Sequence, residues 1–494
     1  MSALDAALGR LQAADPMPAP STTRLPRLVV AAPGSGHGKT TVATGLLAAL
    51  RGRGLDVAGF KVGPDYIDPG YHAVATGRPG RNLDPFLCGE HRIEPLLLHG
   101  GRGADVAVVE GVMGLFDGRL GTDGFASTAH VAALTSSPVV LTVDVSNTTR
   151  TAAAIVHGLA TFDPRIRVAG VVLNKAASGR HLREVWSAVE TSGVAVLGVL
   201  PRDVGIEAPS RHLGLVPAAE RDEAAASVER LGERVASHVD LDAVLSIARS
   251  APDLTGTPWD AAAEVGTAAV DGPRPVVAVA GGRAFTFRYA ETEELLRAAG
   301  LEPVVVDPTR DATLPPGTAG LYLGGGFPEM HAEALGANTS LLGEVRDAVL
   351  GGLPTVAECA GLLYLCESVD GDRMTGVLPA VASMGPRLTM GYRSAVAPMA
   401  SVVAEPGRRV TGHEFHRTTV ATDSGDVATA EAAWLLDGQP EGFALDPAGT
   451  GRATLHASYL HTHWAGHPFL AAQFASSVHE YAGRRSPIAA GSRR

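Results

Sequence analysis

Residues 27–41, RLVVAAPGSGHGKTT, pass from a short β-branched run through a turn of small residues into Gly-Lys-Thr-Thr at the start of a helical stretch. In that order they read as strand, loop and helix N-terminus. Small residues at Gly36 and Gly38 let backbone N–H groups turn inward, and the helix start adds positive potential. Lys39 then reaches outer phosphates, Thr40 offers a hydroxyl to Mg²⁺, and Thr41 continues the first turn. The usual G-x-x-x-x-G-K-[ST] spacing is not met, because Pro33 stands where the first Gly belongs. The stretch therefore predicts a variant phosphate-binding loop.

Working outward, the same alternation repeats in DVAGFKVG (56–63), ADVAVVEG (104–111), PVVLTVDV (138–145), RVAGVVLNK (167–175) and GVAVLGVL (193–200). Apolar runs this continuous are strands covered on both faces, which implies a mostly parallel sheet wrapped by helices. Residues 221–249 read as a closing helix. Residues 250–274, rich in Ala, Thr, Gly and Pro, read as a linker. A second α/β alternation begins at PVVAVA (275–280), turns β-richer and shorter after about 370, and ends in a helix near 467–482. The expected fold is α/β with two domains, 27–249 and 275–482, and loose tails at 1–26 and 483–494.

Composition narrows the class. With 494 residues, 45% hydrophobic and 19% charged, the chain is ordinary globular protein with room for more than one core. A net charge of −11 argues against a general nucleic-acid or anionic-membrane binder. The first 26 residues lack the pattern of a signal peptide, and nowhere do eighteen apolar residues run together. Three cysteines, Cys88, Cys359 and Cys366, form neither a disulfide framework nor a zinc pattern, which fits a reducing cytoplasm. Only three of the 41 basic side chains are lysines, at 39, 61 and 175. In a chain that otherwise uses arginine, a lysine marks a place needing a compact ammonium. All three fall in candidate nucleotide motifs.

Glu110, in VVEGVMGLFDG (108–118), ends a buried strand, where ligands bind in open α/β sheets and where an acid meets a nucleotide's metal. Asp84, in NLDPF (82–86), is a further oxygen ligand candidate. Asn174 and Lys175 end another strand with the donors and acceptor that a purine edge needs.

In the second half, AECAGLLYL (357–365) sets Cys359 between a short strand and a helix-like run. That placement exposes a nucleophile above the sheet and aims a helix N-terminus at it, favouring thiolate. GLYLGGGFPEM (320–330) supplies Gly325 and Gly326, whose backbone N–H groups can approach a developing oxyanion, with Ala360 after the nucleophile as a third donor. HASYLHTHWAGHP (456–468) offers His456, His461, His463 and His467 as bases; ligand spacing for a metal is absent.

The variant loop with GFKVG, NLD and VVEG resembles dethiobiotin synthetase, and the longer FKVGPDYIDPGYH (60–72) resembles the a,c-diamide synthases of corrinoid biosynthesis. PSRHLGLVPAAE (209–220) matches them too. GGGFPE, AECAGLLYL, GYR (391–393), GHEFHRT (412–418) and SYLHTHW resemble, in order, a class I-type glutamine amidotransferase domain. The resemblance covers about 27–482. It implies ATP and Mg²⁺ at Lys39, Thr40, Asp84 and Glu110, with Lys61 beside the transferred phosphoryl. It places Asp65, Tyr66, Asp68, Arg211 and His212 toward a tetrapyrrole polycarboxylate. It makes Cys359 the nucleophile on glutamine and His461 its base, with no Glu two residues beyond His461 of the kind triad amidotransferases carry. The implied reaction is ATP- and glutamine-dependent amidation of two acetate side chains of hydrogenobyrinate or cobyrinate through acyl phosphates. An Ala/Gly/Arg-rich composition tilts the choice toward the metal-free substrate. A nickel-sirohydrochlorin diamide synthase would share the motifs; a cobyric acid synthase should lack GPDYIDP; a partner-regulated switch ATPase would have no use for the Cys/His half. The sequence leaves the oligomeric state open, with a homodimer as one arrangement it allows.

Overall fold

The structure is a computed structural model and describes residues 22–177, 179–202, 210–211, 214–215, 223–266, 273–422 and 431–485. Its first sheet is made of β1 (Arg27–Ala31), β2 (Val57–Val62), β3 (Arg81–Leu83), β4 (Val106–Glu110), β5 (Val139–Asp144), β6 (Val168–Ala176) and β7 (Val196–Pro201). Their order is β3-β2-β4-β1-β5-β6-β7, and every pairing is parallel. β1, β2 and β4 are buried at every position, as expected of strands covered on both faces.

The second sheet joins β8 (Val276–Ala280), β9 (Glu302–Val306), β10 (Thr318–Leu323) and β11 (Thr355–Glu358) in parallel. After 370 most strands are short, as expected, but two are not. β12 (Ala380–Val396) and β13 (Arg409–Thr422) form an antiparallel hairpin of 17 and 14 residues. β14 (Phe443–Leu445) and β15 (Leu455–Ser458) complete the second sheet, with β15 parallel to β11 and β14 antiparallel to β15. β16 (His461–Thr462) then leaves that sheet and pairs with β13 of the hairpin. This crossing carries His461 from one sheet to the other.

The helices that matter are α1 (Lys39–Gly52), α2 (Asp68–Thr76), α3 (Ala224–His238), α4 (Ala290–Ala298), α5 (Ala360–Leu365) and α6 (Phe469–Arg485). The single closing helix expected over 221–249 is two helices: α3 stops at Val239, and Asp240 caps a second over Leu241–Arg249 by accepting from the N–H groups of Asp242 and Ala243. Within the stretch after 250, Trp259 is 3% exposed and Leu254 pairs with Thr23.

The two sheets are not separate bodies. Phe287 and Phe327 of the second half pack in the same apolar cluster as Ile67 and Tyr71 of the first. Polar groups cross the same boundary: Arg81 Nη1 donates to Glu291 Oε1 at 2.6 Å, Arg81 also pairs with Glu294, and His99 Nε2 donates to Glu294. Arg81 and Glu291 are buried, so each charge depends on the other for its solvation.

Candidate active site

Gly38 is the last residue before α1 and sits at φ 88°, in the region glycine tolerates. A Cβ there would lie 2.2 Å from Asn174 Nδ2, so the loop and the end of β6 are pressed together. Asn174 Nδ2 donates to the His37 carbonyl at 2.9 Å, and Lys175 Nζ donates to the Gly36 carbonyl at 3.0 Å while pairing with Asp144. Asn174 and Lys175 therefore brace the loop whose N–H groups would face phosphate. Lys39 Nζ donates to the carbonyls of Gly34 and Met113. Burial, with help from neighbouring Lys61, brings its pKa down to about 8 against the pull of Glu110, Asp68 and Asp117.

Behind the loop lies a cluster of oxygens. Thr40 Oγ1 donates to Glu110 Oε1 at 2.6 Å and approaches Asp68 Oδ2 at 3.3 Å. Lys61 Nζ sits between Asp68 Oδ2 at 2.6 Å and Glu110 Oε1 at 2.9 Å, with Asp65 at 3.9 Å. His72, fully buried, donates from Nε2 to Glu110 Oε2 at 2.7 Å. Burial alone would raise the Glu110 pKa, but Lys61 and His72 together hold it below the ordinary carboxylate range. Asp68 goes the other way: burial first, then the charges of Asp65 and Glu110, push it well up against the pull of Lys61. The cluster thus holds more negative charge than one ammonium balances. A hydroxyl and carboxylates with excess negative charge form a hard, all-oxygen donor set, which fits Mg²⁺.

Asp84 makes none of that cluster's hydrogen bonds. Its Oδ1 accepts from the N–H groups of Phe86 and Leu87, capping a short helix, and its Oδ2 accepts from the Tyr392 hydroxyl at 2.8 Å. Burial raises its pKa to about 6 against those donors. Asp65 Oδ1 accepts from the N–H groups of Ile67 and Asp68 at the start of α2. The side chain of Arg211, and all of His212, lie outside the described residues.

Tyr66, expected to face the substrate, packs against rings of the second half. Its ring stacks on Phe287 at 4.9 Å and 8°, and lies 4.7 Å from Tyr289, 5.7 Å from His413 and 5.4 Å from His461. The segment that carries Asp65 and leads into α2 at Asp68 thereby touches the histidine expected to serve Cys359.

Cys359 bridges β11 and α5 at φ 48°, ψ −94°, a conformation side chains rarely adopt and one that persists only where the surroundings enforce it. Its N–H donates to the Ser458 carbonyl at 2.8 Å, and His461 follows three residues after Ser458. A Cβ on Gly325 would stand 2.4 Å from His461 Cε1, so the ring packs directly against that glycine. The Gly361 N–H donates to the Gly324 carbonyl at 3.1 Å. Nucleophile elbow, glycine loop and histidine are drawn together by these contacts. Gly325, however, exchanges both of its backbone hydrogen bonds with Phe287. Its N–H is engaged there, whereas the Ala360 N–H is directed at Cys359.

Burial works against the expected thiolate. Burial, followed by the Glu329 charge, raises the Cys359 pKa far above the ordinary thiol value, and the Ala360 N–H offsets only part of this. His461 is fully buried, its pKa is pushed well below the ordinary value by that burial, and neither ring nitrogen has a hydrogen-bond partner among the described residues. His413, stacked on it at 5.0 Å, is held neutral in the same way. Burial thus favours the neutral form of both groups, and an unprotonated imidazole nitrogen is what a base for the thiol requires. Of the other candidate bases, His463 stacks on Tyr289, His467 accepts from the Thr411 N–H, and His456 packs edge-on to Trp434.

Reading residue by residue missed His37, His72, Tyr289, His413 and Glu358. His72, His413 and Glu358 stand inside quoted motifs, so the signal was present without an assigned part; His37 sits in the phosphate loop itself.

Residues 28–216 match the CobQ/CobB/MinD/ParA nucleotide binding domain family, and residues 276–469 match the CobB/CobQ-like glutamine amidotransferase domain family. The chain is 64% identical over 462 residues to the hydrogenobyrinate a,c-diamide synthase of Thermobifida fusca (strain YX), covering 92% of this chain and 97% of that one. It is 52% identical to the hydrogenobyrinate a,c-diamide synthase of Streptomyces coelicolor (strain ATCC BAA-471 / A3(2) / M145), covering 92% and 98%. It is 41% identical to the cobyrinate a,c-diamide synthase of Synechococcus sp. (strain ATCC 27144 / PCC 6301 / SAUG 1402/1), covering 90% and 97%. No helix among the described residues is long and apolar enough to cross a membrane.

Proposed function

The chain belongs to the hydrogenobyrinate and cobyrinate a,c-diamide synthase family, and from this premise we propose that it uses ATP and glutamine to amidate the a and c acetates of hydrogenobyrinate, a step of cobalamin biosynthesis. The metal-free substrate is preferred because identity falls from 64% and 52% with hydrogenobyrinate synthases to 41% with a cobyrinate synthase. The reading assigns 27–249 to the synthetase half, 250–274 to the connection and 275–482 to the amidotransferase half, working in the cytoplasm.

In the amidotransferase half, Cys359 Sγ attacks the glutamine side-chain carbonyl as its proton passes to His461. The Ala360 and Gly326 N–H groups receive the oxyanion. His461 then gives the proton to the departing nitrogen, ammonia leaves, and water admitted with the help of the same base hydrolyses the thioester to glutamate. In the synthetase half, a substrate acetate oxygen attacks the γ-phosphorus of ATP, ADP leaves, and an acyl phosphate forms. Ammonia adds to its carbonyl and phosphate departs, giving the amide. Lys39 and Lys61 offset charge on the transferred phosphoryl, and the loop N–H groups orient the remaining phosphates. Mg²⁺, held by Thr40, Glu110 and Asp68, would supply further charge neutralisation. Asp84 would join only by sharing oxygens now engaged by its helix cap and Tyr392. Asp65 and the 209–220 segment would meet the tetrapyrrole.

The observation that carries the reading is the contact of Tyr66, from the loop beside Lys61, with His461, since a shared boundary is what two halves of one reaction require. Mass spectrometry of products from purified protein, ATP, Mg²⁺ and glutamine with hydrogenobyrinate, cobyrinate or nickel-sirohydrochlorin tests it. Two added amides on hydrogenobyrinate are expected. Amidation of nickel-sirohydrochlorin alone, or glutamine-independent ATP turnover without an amide, would refute it.

A further inference from the structure

Glu358 immediately precedes the nucleophile, is 6% exposed, and has no cationic partner within salt-bridge distance among the described residues. Burying a carboxylate without a cation is costly unless neutral donors replace its water. Here they do. Oε1 accepts from the Thr462 hydroxyl at 2.8 Å and the Thr462 N–H at 3.3 Å, and Oε2 accepts from the Tyr322 hydroxyl at 3.1 Å.

Each donor belongs to a segment that carries part of the thiol centre. Thr462 follows His461, whose own ring nitrogens are unpartnered among the described residues. Tyr322 lies on β10, two residues before Gly324, whose carbonyl is tied to the Gly361 N–H. Glu358 itself fixes the residue next to Cys359. An apolar side chain could fill the same volume without the desolvation cost, so filling space does not account for a carboxylate at this position.

We propose that Glu358 is the positioning residue of the glutaminase centre, setting His461 through Thr462, and the glycine loop through Tyr322, relative to Cys359. It thereby fills, by an indirect route, the orienting role left open by the lack of a Glu two residues after His461. The inference rests on the assignment of Cys359 and His461 to glutamine hydrolysis. A misplacement of about 1 Å between reacting groups costs about a hundredfold in rate.

The test compares Glu358→Ala, Glu358→Gln, Thr462→Val and Cys359→Ser, measuring kcat and KM for glutamine and the ammonium-supported rate of synthesis. Glu358→Ala is expected to lower glutamine-supported kcat about a hundredfold with KM within about threefold and the ammonium-supported rate intact. Glu358→Gln, whose amide oxygen can still accept from Thr462, should recover to within about tenfold of the parent. Thr462→Val should fall between and carries the test if Glu358→Ala does not fold. A parent-like kcat in Glu358→Ala, no recovery in Glu358→Gln, or parallel loss of the ammonium-supported rate in Thr462→Val would each overturn the proposal. The outcomes stay separable: glutamine-supported synthesis by Cys359→Ser would sink the underlying assignment, whereas an inactive Cys359→Ser beside a parent-like Glu358→Ala sinks only the part given to Glu358.

Discussion

Around Lys61 buried groups are held by charge: an ammonium bridges two carboxylates, and a histidine and a threonine share the same oxygens. Around Cys359 they are held by rings and neutral donors: Tyr66, Phe287 and His413 surround a histidine that has no hydrogen bond of its own among the described residues. The difference follows from the chemistry proposed for each. Phosphoryl transfer develops charge that must be met by fixed charge, so the site is built polar and stays polar. Amide cleavage by a thiol needs a base that is not already protonated, and burial secures that by penalising the imidazolium.

This contrast can be broken at either end. The largest effect is expected from Lys39→Ala, which should lower synthesis about a thousandfold with glutamine and with ammonium salts alike. Retained turnover with either source, in a product assay, would contradict the phosphate-loop assignment. Cys359→Ser should cause a comparable loss with glutamine only, leaving ammonium-supported synthesis near the parent rate. Loss of both would make the cysteine part of the fold.

Gly325→Ala gives a smaller and more local effect. Its methyl would meet His461 at 2.4 Å, so glutamine-supported kcat should drop about ten- to a hundredfold by displacement of the base, with the ammonium-supported rate unchanged. An unaltered glutaminase rate would mean that ring and loop separate at no cost.

The smallest effect is one of pH. Because burial raises the Cys359 pKa, the thiolate is disfavoured through the neutral range and forms only as pH climbs above the ordinary thiol value. Iodoacetamide labelling of the Cys359 peptide, followed by mass spectrometry, should therefore accelerate steadily past pH 9 in the free protein. A plateau near pH 7 would mean a preformed thiolate and would erase the contrast between the two centres.

The parallel strands were legible because strands buried on both faces must be almost continuously apolar, and 28–32, 57–60 and 106–109 are. The β12–β13 hairpin was not, because Gly385, Pro386 and Gly391 interrupt it and its faces alternate between covered and open, which mimics several short segments. The phosphate loop could be read since its parts are adjacent in the chain. Tyr66 could not be placed on His461, because that contact comes from opposite halves and depends on how the sheets meet. The thiolate expectation had the sign of the helix N-terminus right, as the Ala360 N–H shows; burial, which no local pattern reveals, outweighed it.

The most direct measurement supplies amide-¹⁵N glutamine together with excess unlabelled ammonium and reads the isotope in the diamide product. If nitrogen freed at Cys359 crosses the Tyr66 boundary inside one molecule, the product should be almost wholly labelled. A product diluted to the isotopic ratio of the bulk solution would contradict the cooperation of the two centres.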